Sequence, residues 1–311
     1  MVLSVSRRTD IPAFYSEWFF NRLHEGFVLV RNPFNPRQVS KISLSRDLVD
    51  CFVFWTKNPQ PMLDKIPLLS GYDYYFQFTL NPYDQDIEVN LPPKADLIQT
   101  FIAVSEKVGK KRVVWRYDPI FFSERISLED HLSYFSLLAS ELSGYTEKCV
   151  ISFLDMYKKT ERNLKAVHNV RYLGEEEMRE LAKDFARIGD RYNLALETCA
   201  EKIDLGDLGV KHGKCIDDRL IQEITGAELD LEKDKSQRKE CGCVASIDIG
   251  AYNTCRHHCL YCYANYSREK VMNNMTKHDP NSPLLFGALN NEDLVTERKM
   301  VSCKAPQSRL F

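Results

Sequence analysis

Short apolar runs alternate with amphipathic stretches along the first two-thirds of the chain. Residues 3–6 read as a strand ending in Arg7-Arg8-Thr9-Asp10, and Ser16 then offers an N-cap to helically spaced apolar residues. Residues 27–30 and 38–44 predict two strands paired as an irregular hairpin. Residues 51–55, 74–79, 112–116, 149–154 and 194–197 are apolar runs of strand length. Between them, residues 96–108, 127–142 and 175–188 carry a helical apolar period, and a shorter helix is expected over 220–224. A last strand, 244–249, leads into a loop with three cysteines.

Strand followed by helix, repeated, predicts an α/β fold with parallel strands. Polar residues stand at the C-terminal ends of the apolar runs: Arg31, Lys57, Asn81, Arg116 with Asp118, Asp155 and Glu197. In a (β/α) barrel those ends form the mouth of the active site. The pattern therefore predicts a single TIM-like (β/α) barrel, partial or circularly permuted, over residues 1–265 including the cysteine loop, with a doubly wound open sheet as the alternative. Residues 266–311 are polar and predict an irregular tail packed on that barrel, able to cover its mouth. The mixed-charge stretch 226–240 predicts a solvated loop or exposed helix. No glycine-rich phosphate loop follows any strand, which weakens a dinucleotide or P-loop reading.

Composition adds few constraints. The 311 residues are 44% hydrophobic and 28% charged, ordinary values for a chain with a full core. A net charge of −2 and a pI of about 6.4 favour neither a nucleic-acid nor a membrane partner globally. The apolar runs are far short of a membrane span, and the N-terminus shows no signal-peptide pattern, so the expected location is cytoplasmic.

Ten cysteines in such a chain call for an explanation other than disulfides. Cys51 and Cys149 open apolar strands and read as buried small hydrophobes, while Cys303 has no assignment. The other seven fall between Cys199 and Cys262. Cys255, Cys259 and Cys262 are spaced C-x3-C-x2-C, with Tyr261 directly before the third. Three thiolates on so tight a loop can hold three irons of a [4Fe–4S] cluster and leave the fourth iron open. Zinc, or simple burial, is the alternative. His257 and His258 lie inside the loop and are expected to point outward or line the pocket. Cys199, Cys215, Cys241 and Cys243 make a full coordination set for a second site, either an auxiliary [4Fe–4S] cluster or tetrahedral zinc.

The cysteine loop resembles that of the radical S-adenosylmethionine enzymes, and Tyr263-Ala264 is similar to the version in the spore photoproduct lyase branch. The resemblance implies a [4Fe–4S] cluster on Cys255, Cys259 and Cys262, with S-adenosylmethionine chelated at the open iron. It also implies a 5′-deoxyadenosyl radical and a reductant such as flavodoxin or ferredoxin. The branch likeness suggests a nucleic acid or its derivative as substrate. From Ser6-Arg7-Arg8-Thr9-Asp10 to its end, the chain resembles the bacterial family called domain of unknown function 1848. That second resemblance names no activity.

Radical S-adenosylmethionine enzymes place the triplet after the first barrel strand, whereas here it follows the last. Barrel closure puts first and last strands side by side, so residues 3–6 are expected beside the cluster strand. On that reading Thr9 or Asp10 accepts from the cofactor's ammonium group. Arg116 or Arg31 binds its carboxylate, Glu197 or Asp118 its ribose, and Tyr261 fills the family's aromatic position. The alternative is a zinc- or cluster-stabilised binding or redox protein without radical chemistry. A metal-assisted hydrolase ranks lower, because no H-x-H or H-E-x-x-H arrangement occurs.

Overall fold

The structure, a computed structural model, describes residues 1–155, 158–165, 167 and 169–305. Its strands are β1 (Val2–Val5), β2 (Phe27–Arg31), β3 (Gln38–Ser43), β4 (Cys51–Thr56), β5 (Tyr74–Thr79) and β6 (Val113–Ile120). They continue with β7 (Lys148–Phe153), β8 (Ala195–Thr198), β9 (Lys211–His212), β10 (Ser246–Asp248) and β11 (Leu294–Glu297). The helices are α1 (Ile11–Phe14), α2 (Ser16–Glu25), α3 (Lys94–Val108), α4 (Leu128–Glu141), α5 (Lys158–Leu164), α6 (Glu175–Arg191), α7 (Asp218–Thr225) and α8 (Arg268–Met275).

Eight strands form one all-parallel sheet in the order β10-β1-β4-β5-β6-β7-β8-β9. It is unclosed: β9 and β10 are its two edges. The strand that carries the cysteine loop does lie beside the N-terminal strand, with Leu3 opposite Ile247 and Ser4 opposite Asp248. It reaches that place as an edge strand beyond β1.

The period-2 alternation of strand side chains separates the two faces of the sheet. Phe52, Phe54, Phe76, Phe78, Trp115 and Ile151 pack under α2, α3, α4 and α6 in the large core. Phe135 of α4 and Phe185 of α6 stack there with ring centroids 3.8 Å apart. Val53, Tyr75, Val114 and Val150 face the other way, onto Ile216, Leu220, Ile221 and Val244. The returning segment from β9 to β10, with α7, thus covers the second face, which explains why these strands read as continuous apolar runs. Cys51 and Cys149 are fully buried in these two cores, as expected of small hydrophobes.

Three expectations need correction. The hairpin of β2 and β3 forms, but it belongs to a separate three-stranded sheet with β11, so it adds nothing to the main sheet's rim. The tail is more regular than its composition suggests: α8 and β11 form, and β11 pairs parallel with β3. The charged stretch 226–240 is not simply solvated. Leu229 and Asp234 are buried, and Asp234 N donates to Cys243 O at 2.9 Å. Among the described residues no helix is long and apolar enough to cross a membrane.

His131 of α4 is fully buried between the Tyr117 hydroxyl, 2.8 Å from Nδ1, and Phe121 O, 3.0 Å from Nε2. Burial lowers its pKa to about 4, so the folded chain holds it neutral. The unfolded chain binds a proton there near pH 6.5, so this contribution to stability is complete above pH 6.5 and is lost as pH falls toward 4. Urea unfolding across that window should show a loss of up to about 3 kcal/mol, and His131→Gln, which can make both hydrogen bonds, should flatten the slope.

Candidate metal centre

In a parallel sheet all carboxyl ends lie on one side, and here they surround a cavity of about 520 Å³. Asp248 of β10, Thr9 after β1, Lys57 after β4, Arg116 and Asp118 of β6 and Ser152 of β7 line it. All seven of the late cysteines line it too.

Asp248 fixes the start of the cysteine loop. Its carboxylate accepts from Ser4 Oγ at 2.9 Å, Ser6 Oγ at 2.6 Å, Arg7 N at 2.8 Å and Gly250 N at 3.0 Å. Gly250 is required by this close approach, since a Cβ there would overlap Ser6 Oγ. Further on, Leu260 N donates to Ile87 O at 2.9 Å and Asn265 Nδ2 to Cys255 O at 2.8 Å. Cys255, Cys259 and Cys262 are close enough to perturb one another electrostatically. Burial, then the neighbouring Cys262, raises the Cys255 thiol, and burial pushes Cys259 up to about 12. A metal bound here must displace thiol protons.

Two buried networks hold the loop against the sheet. Asp10 Oδ1 caps α1 through Ala13 N at 3.0 Å, while Oδ2 accepts from Lys57 N at 2.7 Å and lies 2.9 Å from His257 Nε2. His257 is therefore turned inward, and its Nδ1, like Thr9 Oγ1, is buried without a hydrogen-bond partner. The second network centres on Glu88, which receives the Tyr261 hydroxyl, Lys57 Nζ at 2.8 Å and Lys94 Nζ at 2.6 Å. Burial opposes its charge, but the two ammonium groups outweigh this and hold its pKa at about 2. His257 thus takes the pocket-lining of the two orientations expected for it, whereas Glu88 was not singled out in the sequence, because its role depends on contacts far along the chain.

The second cysteine group also converges. Cys199 and Cys215 place their sulfurs 2.7 Å apart, and Cys241 and Cys243 line the same cavity, with Cys243 Sγ accepting from Ile216 N at 3.4 Å. Arg116 Nη1 donates to Cys215 Sγ at 2.8 Å and Nη2 to Asp118, whose other oxygen accepts from Ser152 Oγ. Interaction among these neighbouring thiols raises Cys215 and lowers Cys199 and Cys243. Among the described residues, no three Cys, His, Asp or Glu side chains already surround a metal-sized point.

Two of the proposed cofactor residues lie elsewhere. Arg31, in the small sheet, is held by both oxygens of Asp293, at 2.5 and 2.8 Å. Glu197 points to a separate cavity on the far side of β8 and pairs with Lys148 at 2.9 Å. Asp10 lines the main cavity, but its oxygens already hold three partners. Thr9, Arg116, Asp118 and Tyr261 all line the main cavity.

Glu88→Gln would leave two largely buried ammonium groups facing a neutral amide. The expected cost is about 3 kcal/mol, read as a lower urea midpoint with an unchanged slope.

A search of curated proteins finds no match to this chain. The family model described as "Domain of unknown function (DUF1848)" matches residues 2–264, a span that takes in β1, the whole parallel sheet and the cysteine loop. The chain belongs to that family.

Proposed function

We propose that this protein is a radical S-adenosylmethionine-type iron–sulfur enzyme whose sheet acts as a partial, circularly permuted (β/α) barrel. The observation that carries the reading is the course of the cysteine loop. It leaves β10 beside β1 and enters the cavity at the carboxyl ends with Cys255, Cys259 and Cys262 together.

The residues present fit such a cofactor. A set of three soft thiol donors suits iron–sulfur ligation. Thr9 Oγ1 is a buried acceptor and donor without a partner at the cavity wall. When bound, the cluster and S-adenosylmethionine supply one-electron reductive cleavage to methionine and a 5′-deoxyadenosyl radical.

The chain's own groups bind and orient. Thr9 Oγ1 accepts from the ammonium of the cofactor. Arg116, held in place by Asp118 and Gln77, supplies positive charge toward its carboxylate. Asp118, oriented by Ser152, accepts from ribose hydroxyls. The Tyr261 ring, fixed through Glu88, closes the wall beside Lys57 and limits water access. A nucleic acid or its derivative as substrate, and a flavodoxin or ferredoxin as reductant, belong to the same proposal.

Protein reconstituted anaerobically with iron and sulfide should be brown and, after reduction, should convert S-adenosylmethionine to 5′-deoxyadenosine. Serine at Cys255, Cys259 or Cys262 should abolish that conversion. Thr9→Val should weaken S-adenosylmethionine binding by about tenfold, measured by equilibrium dialysis. Colourless protein that holds only zinc and leaves S-adenosylmethionine intact would replace this reading with that of a metal-stabilised binding module.

A further inference from the structure

The four cysteines outside the C-x3-C-x2-C loop come from three places along the chain. Cys199 follows β8, Cys215 follows β9, and Cys241 and Cys243 precede β10. They are thus contributed from around the two edges of the open sheet, β9 and β10. Two hydrogen bonds already cross that seam: Val244 N donates to Ile216 O at 3.1 Å and Ile216 N to the Cys243 side chain, at Sγ, at 3.4 Å.

We propose that Cys199, Cys215, Cys241 and Cys243 bind a single zinc ion that ties the two edges of the sheet together. Spacing favours one ion over an auxiliary cluster. Four sulfurs on tetrahedral zinc, each about 2.3 Å from the metal, lie about 3.7 Å from one another. Here Cys199 and Cys215 place their sulfurs only 2.7 Å apart, and Cys243 Sγ is held 3.4 Å from the amide of Ile216, the residue after Cys215. A cubane binds its four thiolates on four separate irons and needs them wider apart. The sulfurs are hydrogen-bonded rather than arranged about a centre, so loading requires Cys199 and Cys215 to separate by about an ångström while zinc takes the place of the shared protons.

Charge supports the same occupant. Zinc with four thiolates carries two net negative charges, formed as the four thiol protons leave. Arg116 lies against Cys215, and Arg7 acts electrostatically on Cys243 and Cys215. Two fixed guanidinium groups therefore face a site that would carry two negative charges. Behind the thiols the wall is apolar, with Ile216, Leu220 and Val244, while their other side opens on the cavity.

The proposal does not rest on radical chemistry, and its test removes the other thiols from the count. A variant with Cys255, Cys259 and Cys262 all replaced by serine should retain about one zinc per chain. Its X-ray absorption at the zinc edge should show four sulfurs at about 2.3 Å. Replacing Cys215 and Cys243 by serine should lose that zinc and speed amide exchange at 211–216 and 243–248. If that pair fails to fold, Cys241→Ser alone should lower the zinc affinity at least about tenfold in a chelator titration. The proposal fails if the triple variant binds no zinc, if zinc shows nitrogen or oxygen in place of sulfur, or if the four cysteines take up iron and sulfide instead.

Discussion

The constraint on which this protein depends is strand direction. Eight parallel strands put every carboxyl end on one side, so the residues that follow them are brought together whatever their distance in sequence. Thr9, Lys57, Asp118, Cys199 and the cysteine loop meet for that reason alone. Covering both faces, one by helices and one by the returning chain, leaves the strands apolar and the polar chemistry confined to the ends.

At that end the structure tolerates buried charge only in closed sets. Glu88 is matched by Lys57 and Lys94, Asp248 by hydroxyls and amides from β1 and the loop, and Asp118 by Arg116 and Ser152. Each carboxylate joins an element from one part of the chain to another, so the same contacts that satisfy the charge also locate the thiols. Three buried polar atoms of cavity-lining residues without a partner, Thr9 Oγ1, Trp55 Nε1 and His257 Nδ1, stand out against that background.

Much of this was legible from the amino-acid pattern. Buried parallel strands write themselves as apolar runs, and the runs at 51–55 and 74–79 match β4 and β5 closely. Tight cysteine spacing survives as local information, so the loop was recognisable before its surroundings were known. The placement of β10 beside β1 followed from barrel reasoning, although the sheet is open and the neighbour is an edge. What escaped was decided by partners distant in sequence. Arg31 looked like a rim residue because β2 resembles the other strands, yet β2 pairs with β3 and its arginine meets Asp293. Glu197 sits on a short strand whose alternation turns it to Lys148. Charge in 226–240 suggested solvent, whereas spaced apolar residues such as Leu229 carry that segment across the sheet.

The pairing of β1 with β10 also has a consequence for synthesis. Ser6 and Asp248 are bonded across 242 residues, so β1 waits for a strand synthesised much later. Until β10 emerges, the edge of β1 that it will cover presents unpaired amides and carbonyls, the surface most prone to pairing with another chain. Loop closure over such a span is slow, and the cavity cannot exist as a binding site before it is complete. Loading of any metal or cofactor at the cysteine loop therefore waits until β10 has joined β1.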